Sequence, residues 1–226
     1  MCSIYQRLLG ADFEKLHPKI QERFGFSSID KRASIGRGIM EKVWYGKAFT
    51  LPFLYIGTWR NIMFPEQGQN VPFTIENYAY VDSFGRETVT WVRKYEFSNR
   101  LRRFDATMIY SEKRQKIIDY LGTHQHLAVE IEMSVVENGG MHLRSGNQYF
   151  YEGWFGFKFP MLFSGYADVY EWYDKQREKY RIDVKISNPI FGDLFGYSGA
   201  FDVEYLHVEL EHIPEDVKPV REERRE

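Results

Sequence analysis

Two arginines and a glutamate sit where an alternating strand would turn them inward. In segment 87–98, Val89, Trp91, Tyr95 and Phe97 share a two-residue period with Arg93. In 101–110, Phe104, Ala106, Met108 and Tyr110 share theirs with Arg102, and in 165–174, Ala167, Val169 and Tyr173 share theirs with Glu171. Such charges cannot reach water without exposing their apolar neighbours too. A buried guanidinium or carboxylate costs several kcal/mol unless it is paired and hydrogen-bonded. The charges therefore either satisfy one another or face a cavity that takes the polar end of a ligand. Arg93 would receive an anionic group there and Glu171 would orient it, with Arg102 a second cation. An enzyme would use Glu171 or Asp168 as general base and Arg93 to stabilise developing negative charge. The bland alternative is an Arg–Glu brace inside a rolled sheet, or an arginine reaching solvent along its stem. Arg103 and Asp105 fall on the opposite face and read as a solvated pair.

Other chemistry is thinly represented. "GRG" at 36–38 lacks the third glycine and the βαβ context of a dinucleotide fingerprint. There is no phosphate-binding loop, GxSxG elbow or HExxH motif. "HQH" at 124–126 offers two imidazoles on one face, but no spacing selects a third ligand from His142, His207, His212 or a carboxylate. It reads as a polar loop, and no metal or cofactor is expected. His207 and His212 flank "VELE" and read as an exposed edge. Cys2 is the single cysteine, which rules out an internal disulfide and suits a reducing cytoplasm.

The elements that must position these residues follow from periodicity and turn chemistry. Helices are predicted over 3–9 and 11–24, the second broken after His17 by Pro18. Strands are predicted at 33–45, 72–82, 87–98, 101–110, 114–121, 127–136, 141–151, 165–174, 178–187 and 194–206, separated by turns such as "DSFG" and "ENGG". The clean alternation of 127–136 and 178–187 implies antiparallel pairing with one face covered. The fold class is α+β, mainly antiparallel β, with a curved sheet forming a barrel or half-barrel, two N-terminal helices and a short apolar helix over 48–57. That apolar run is about half the roughly 20 residues that a membrane-spanning helix needs, so it should lie against the sheet. In 194–206, Phe195, Tyr197, Phe201 and Val203 form a large row completed by Gly199, while Leu194, Gly196, Ser198 and Ala200 form a smaller one, as suits the seam of a rolled sheet. Residues 1–213 read as one globular domain. The tail from 214 to 226 is so charged that a solvated, disordered extension is expected. The opening stretch lacks the long apolar core and small-residue cleavage site of a signal peptide, so no secretory leader is expected.

Four blocks carry a resemblance: "SIYQRLLG" with "DFEKLHPKIQERF", "FPEQGQNVPFTIENYAYVDSFGRETVTWVRKYEF", "RRFDATMIY" and "NPIFGDLFGYSGAF". Together they resemble a bacterial family common in bacilli and catalogued as domain of unknown function 4166. The resemblance spans nearly all of residues 3–203. It implies a self-contained bacterial domain, also found fused to others, and carries over no catalytic residue.

Net charge is −2 and the isoelectric point near 6.3, which disfavours a dedicated nucleic-acid binder. Aromatic residues make up 17% of the chain, enough to line a concave surface. The leading expectation is a non-enzymatic cytoplasmic binding module for a small apolar or amphipathic ligand. Its cavity would be walled by Trp91, Tyr95, Phe104, Tyr197 and Phe201. The alternatives are an enzyme using the same cavity, or an interaction or homodimerisation domain presenting rings from 148–163.

Overall fold

Every strand in the structure pairs antiparallel with its neighbours, and the last strand returns to the first. The structure, a computed structural model, describes residues 2–160 and 164–226. Eleven strands form: β1 (Arg32–Tyr45), β2 (Gly68–Val81), β3 (Glu87–Phe97), β4 (Arg100–Ser111), β5 (Lys116–Leu121), β6 (Leu127–Val135), β7 (Met141–Glu152), β8 (Phe155–Lys158), β9 (Tyr166–Asp174), β10 (Lys179–Asn188) and β11 (Gly192–His207). Pairing runs from β1 through β6 to β7, then through β9, β10 and β11 back to β1, giving a closed ten-stranded barrel. Closure removes the edges that would otherwise template aggregation. The ten strands expected from periodicity are those that close the ring. The eleventh, β8, hangs on the second half of β7 as a short hairpin partner.

The seam between β11 and β1 is built as the row of glycines predicts. A Cβ on Gly199 would lie 2.3 Å from the Ile39 carbonyl oxygen and 2.6 Å from Met40 Cα, so only glycine permits this approach. A bulge between Met40 and Lys42 adds curvature at the same level. Phe195, Tyr197 and Phe201 point inward from the seam and are fully buried.

Among the described residues three α-helices complete the fold: α1 (Ile4–Leu9), α2 (Pro18–Phe24) and α3 (Leu51–Thr58). A capping box starts α1, with the Gln6 amide donating to Ser3 Oγ and the Ser3 amide to Gln6 Oε1. Pro18 opens α2 at its first turn, where a missing N–H costs nothing. Ile4, Tyr5, Ile20 and Phe24 from these helices enter the barrel core. By contrast, α3 buries only Leu54 and Gly57, and Phe53, Tyr55, Ile56 and Trp59 stand in the open. The apolar run at 48–57 therefore packs against the barrel far less than its composition suggests. No helix among the described residues is long and apolar enough to cross a membrane.

The expectation of a solvated tail does not describe residues 214–226. They run along the outside of the barrel, burying Val217 and Glu223. The Val220 amide donates to the Thr123 carbonyl, the Glu223 amide to Gln125 Oε1, and Arg225 to the carbonyls of Phe155 and Gly153. Charge misleads here because several of the charges have fixed partners: Arg221 and Arg225 clasp Glu223, and Arg103 clasps Asp216. Asp105 is likewise buried under this cover, held by Arg103 and by Asn61, rather than solvated.

Candidate functional site

The barrel interior divides into a filled part and an open part. Around the seam, Phe64, Phe73, Tyr95, Phe195 and Tyr197 pack ring against ring, with centroids 4.9–6.2 Å apart. Facing the arc from β3 to β7 and the strands β9 and β10 lies a cavity of about 110 Å³. Its walls are mostly apolar, among them Phe104, Met108, Val129, Val169 and Val184. Two charged side chains break that lining, Arg93 from β3 and Asp119 from β5.

Arg93 sits where the period of β3 requires, inside with Val89, Trp91 and Tyr95, and it is 4% exposed. Its Nε donates to the Phe104 carbonyl at 3.0 Å, and a terminal nitrogen donates to the Tyr197 hydroxyl at 3.1 Å. The guanidinium lies over the Phe104 ring at 3.8 Å and beside Trp91 at 5.6 Å, a geometry that holds the plane fixed. Both hydrogen-bonding partners are neutral, so its charge is not cancelled by direct contact.

Asp119 is the site residue that the sequence reading missed. It is 6% exposed, and its Oδ1 has no hydrogen-bonding partner among the described residues. Burial raises its carboxyl to about 7, and the attraction of Arg93 offsets only part of that shift. The signal was present in "IIDYL", because Asp119 shares its parity with Ile117 and Leu121. It was hidden because Ile118 and Tyr120 are apolar too, which erases the alternation. Those two are buried on the outer face with Tyr151, and the Tyr120 hydroxyl donates to the carbonyl of Arg225 in the docked tail.

Of the eight residues read from sequence as the site, Trp91, Arg93 and Phe104 line the cavity. Tyr95, Tyr197 and Phe201 belong to the filled part, where Tyr197 positions Arg93. Arg102 lies away from the cavity, forked onto Glu66 at 2.7 and 2.5 Å. Glu171 requires a correction. It is fully buried and paired with Arg23 of α2, which also donates to Ser34 Oγ at 2.8 Å. It neither lines the cavity nor touches Arg93, and so cannot orient a group bound there. Arg23 is sealed among Phe24, Phe201 and Tyr180, and this pair locks α2 across the barrel. Asp168 is drawn to His142 at 3.0 Å, outside the cavity. His124 and His126 stack on each other, with Arg60 against the first and Glu152 against the second. No group of three His, Cys, Asp or Glu able to hold a metal occurs among the described residues.

One stretch of wall is closed differently from the rest. The β7–β9 ladder covers only Met141–Arg144 against Asp168–Glu171. Beyond it, side chains replace backbone pairing: Ser145 Oγ accepts from the Ala167 amide, and Gln148 Nε2 donates to the Gly165 carbonyl, each at 2.7 Å. All four residues line the cavity, so side chains rather than a backbone ladder close its wall here.

Fold and site together define a closed antiparallel barrel with a mostly apolar internal cavity and two buried charges at its wall. The chain belongs to the family described as "Domain of unknown function (DUF4166)", whose model matches residues 16–201. It is similar to "Uncharacterized protein YndH" of Bacillus subtilis (strain 168), 29% identical over 204 residues that cover 90% of this chain and 98% of that protein. No solved structure matches it.

Proposed function

We propose that the protein is a non-enzymatic binding module that holds a small amphipathic ligand in the barrel cavity. The apolar body lies against Phe104, Met108, Val129, Val169 and Val184, and the polar end meets Arg93 and Asp119. One observation carries this reading: a buried carboxylate oxygen without a partner, on a residue that lines a cavity with a buried guanidinium. Buried polar groups in folded proteins are nearly always satisfied, and exceptions point to a role. Size narrows the ligand. An apolar cavity of about 150 Å³ takes benzene, so about 110 Å³ sets a single ring as the upper limit for the buried part and excludes a long acyl tail. Glu171 and Asp168, the acids that an enzyme was expected to use as bases, are committed to Arg23 and His142, which leaves Asp119 as the acid that lines the cavity.

Methyl NMR during titration with benzyl alcohol and with benzoate tests the reading. Shifts confined to Val129, Val169, Val184 and Leu143 are expected, and they should vanish in Val184→Phe, which fills the space. Probes that shift nothing, or that shift the filled variant equally, contradict it.

A second reading, an interaction or homodimer surface, is supported by the exposed rings at the β7–β8 turn. Trp154 is 91% exposed there, beside Phe155 and Phe157, a patch that commonly marks a contact surface. The expected run, 148–163, extends into 161–163, which lie outside the described residues. Sedimentation distinguishes this reading: it requires self-association that Trp154→Ser weakens.

A further inference from the structure

We infer that the cavity takes a small carboxylic acid as its anion, and that a proton enters with it to rest on Asp119. This rests on the reading of the cavity as a ligand site and names the chemical class of the ligand.

Charge balance between mostly apolar walls carries the inference. The empty site holds one guanidinium and one carboxyl group among apolar walls. An unpaired ion in such surroundings is far more costly than a neutral group. With Asp119 ionised, the two wall charges cancel, and an entering carboxylate would add an uncompensated negative charge. With a proton on Asp119, Arg93 and the ligand's carboxylate cancel instead. The site then stays neutral before and after binding only if anion and proton arrive together. No covalent bond to the ligand forms or breaks: the solvent gives up a proton to an Asp119 oxygen.

Hydrogen bonding points the same way. Arg93 spends Nε on the Phe104 carbonyl and one N–H on the Tyr197 hydroxyl, leaving donors of its five for a ligand. Protonated Asp119 adds an O–H. A carboxylate accepts from both residues and cancels the charge of Arg93, whereas a hydroxyl can bridge the two but brings no charge. An amine ligand would meet the buried guanidinium without a second anion to balance it.

The surroundings of Asp119 hold little else that titrates. Its neighbours in register are Met108 on β4 and Val129 on β6, and Val169 and Val184 share the cavity from β9 and β10. From α1 the Tyr5 phenol acts on it through space, and burial raises that phenol further from its own ionisation, so it stays neutral. Arg93 from β3 is the one cation acting on the carboxyl. Carboxyl burial that lifts Asp119 to about 7 places the proton uptake just above neutrality.

Calorimetry with benzoate and with benzyl alcohol at pH 6 and pH 8 tests the inference. Benzoate is ionised at both. It should bind about tenfold more weakly at pH 8, because a midpoint near 7 leaves the empty carboxyl mostly ionised there. Repeating the pH 8 titration in phosphate and in Tris should show close to one proton taken up, from the difference in buffer heat. Asp119→Asn should bind benzoate with the same affinity at both pH values and take up no proton. Benzyl alcohol binding as tightly as benzoate, or benzoate binding without proton uptake by the wild-type protein, overturns the inference and leaves the cavity reading standing. Failure of both probes to bind overturns the cavity reading itself.

Discussion

Replacing Asp119 by asparagine should stabilise the empty barrel, and by more as the pH rises. In the unfolded chain an aspartate ionises near 3.9, and in the barrel burial moves it to about 7. The native state therefore resists ionisation that the unfolded state accepts. Below the unfolded value both states hold the proton and Asp119 costs nothing on this account. Stability is lost progressively as pH rises from about 4 to about 7, and levels off above that. Each unit is worth about 1.4 kcal/mol, so the accumulated cost is about 1.5 kcal/mol at pH 5 and about 4 kcal/mol at pH 8. Asparagine keeps the shape and cannot ionise. The gain of Asp119→Asn over wild type should thus grow by about 2.5 kcal/mol between pH 5 and pH 8. Urea unfolding of both proteins at the two pH values reads this double difference, in which titrations common to both cancel. A variant whose advantage is the same at both pH values would refute the placement of Asp119 as a buried, poorly compensated acid.

Three further outcomes follow from the same geometry. Arg93→Met leaves the Phe104 carbonyl and the Tyr197 hydroxyl short of a donor, so it should cost about 1–3 kcal/mol in denaturant melts, abolish benzoate binding, and move the ionisation of Asp119 to still higher pH. Glu171→Leu strands the Arg23 charge and should destabilise by about 3–5 kcal/mol, while Arg23→Met combined with Glu171→Leu should recover most of that loss; a double variant no better than the single one would contradict the pairing. Removing residues 214–226 takes the Arg225 carbonyl from the Tyr120 hydroxyl and strips partners from Arg103 and Arg114. A loss of about 2 kcal/mol or more should then lower Tm by about 4–8 °C, and an unchanged Tm would mean the tail does not dock.

Local pattern carried the architecture further than it carried the site. Alternation located the ten strands of the ring, and Pro18 marked the break inside the expected 11–24 helix, where α2 begins, because both signals act between near neighbours. Arg93 was legible for the same reason: a parity shared with Val89, Trp91 and Tyr95 leaves it nowhere else to go. Glu171 has its parity as well, yet its partner Arg23 lies 148 residues away on a helix, and no spacing encodes that meeting. The tail misled because nine charges look like a solvated run until their partners on the barrel wall are seen. Asp119 escaped notice because the docked tail makes the outer face of β5 as apolar as the inner one. The short β8 gave no signal of its own within a run of rings.

The most direct test of the ligand site is a crystal structure of the protein grown with benzoate at pH 6. The account predicts difference density for the ring among Met108, Val129 and Val184, with the carboxylate against Arg93 and one of its oxygens within hydrogen-bonding distance of Asp119. A cavity filled only by water or by rearranged side chains, with benzoate elsewhere or absent, would contradict it.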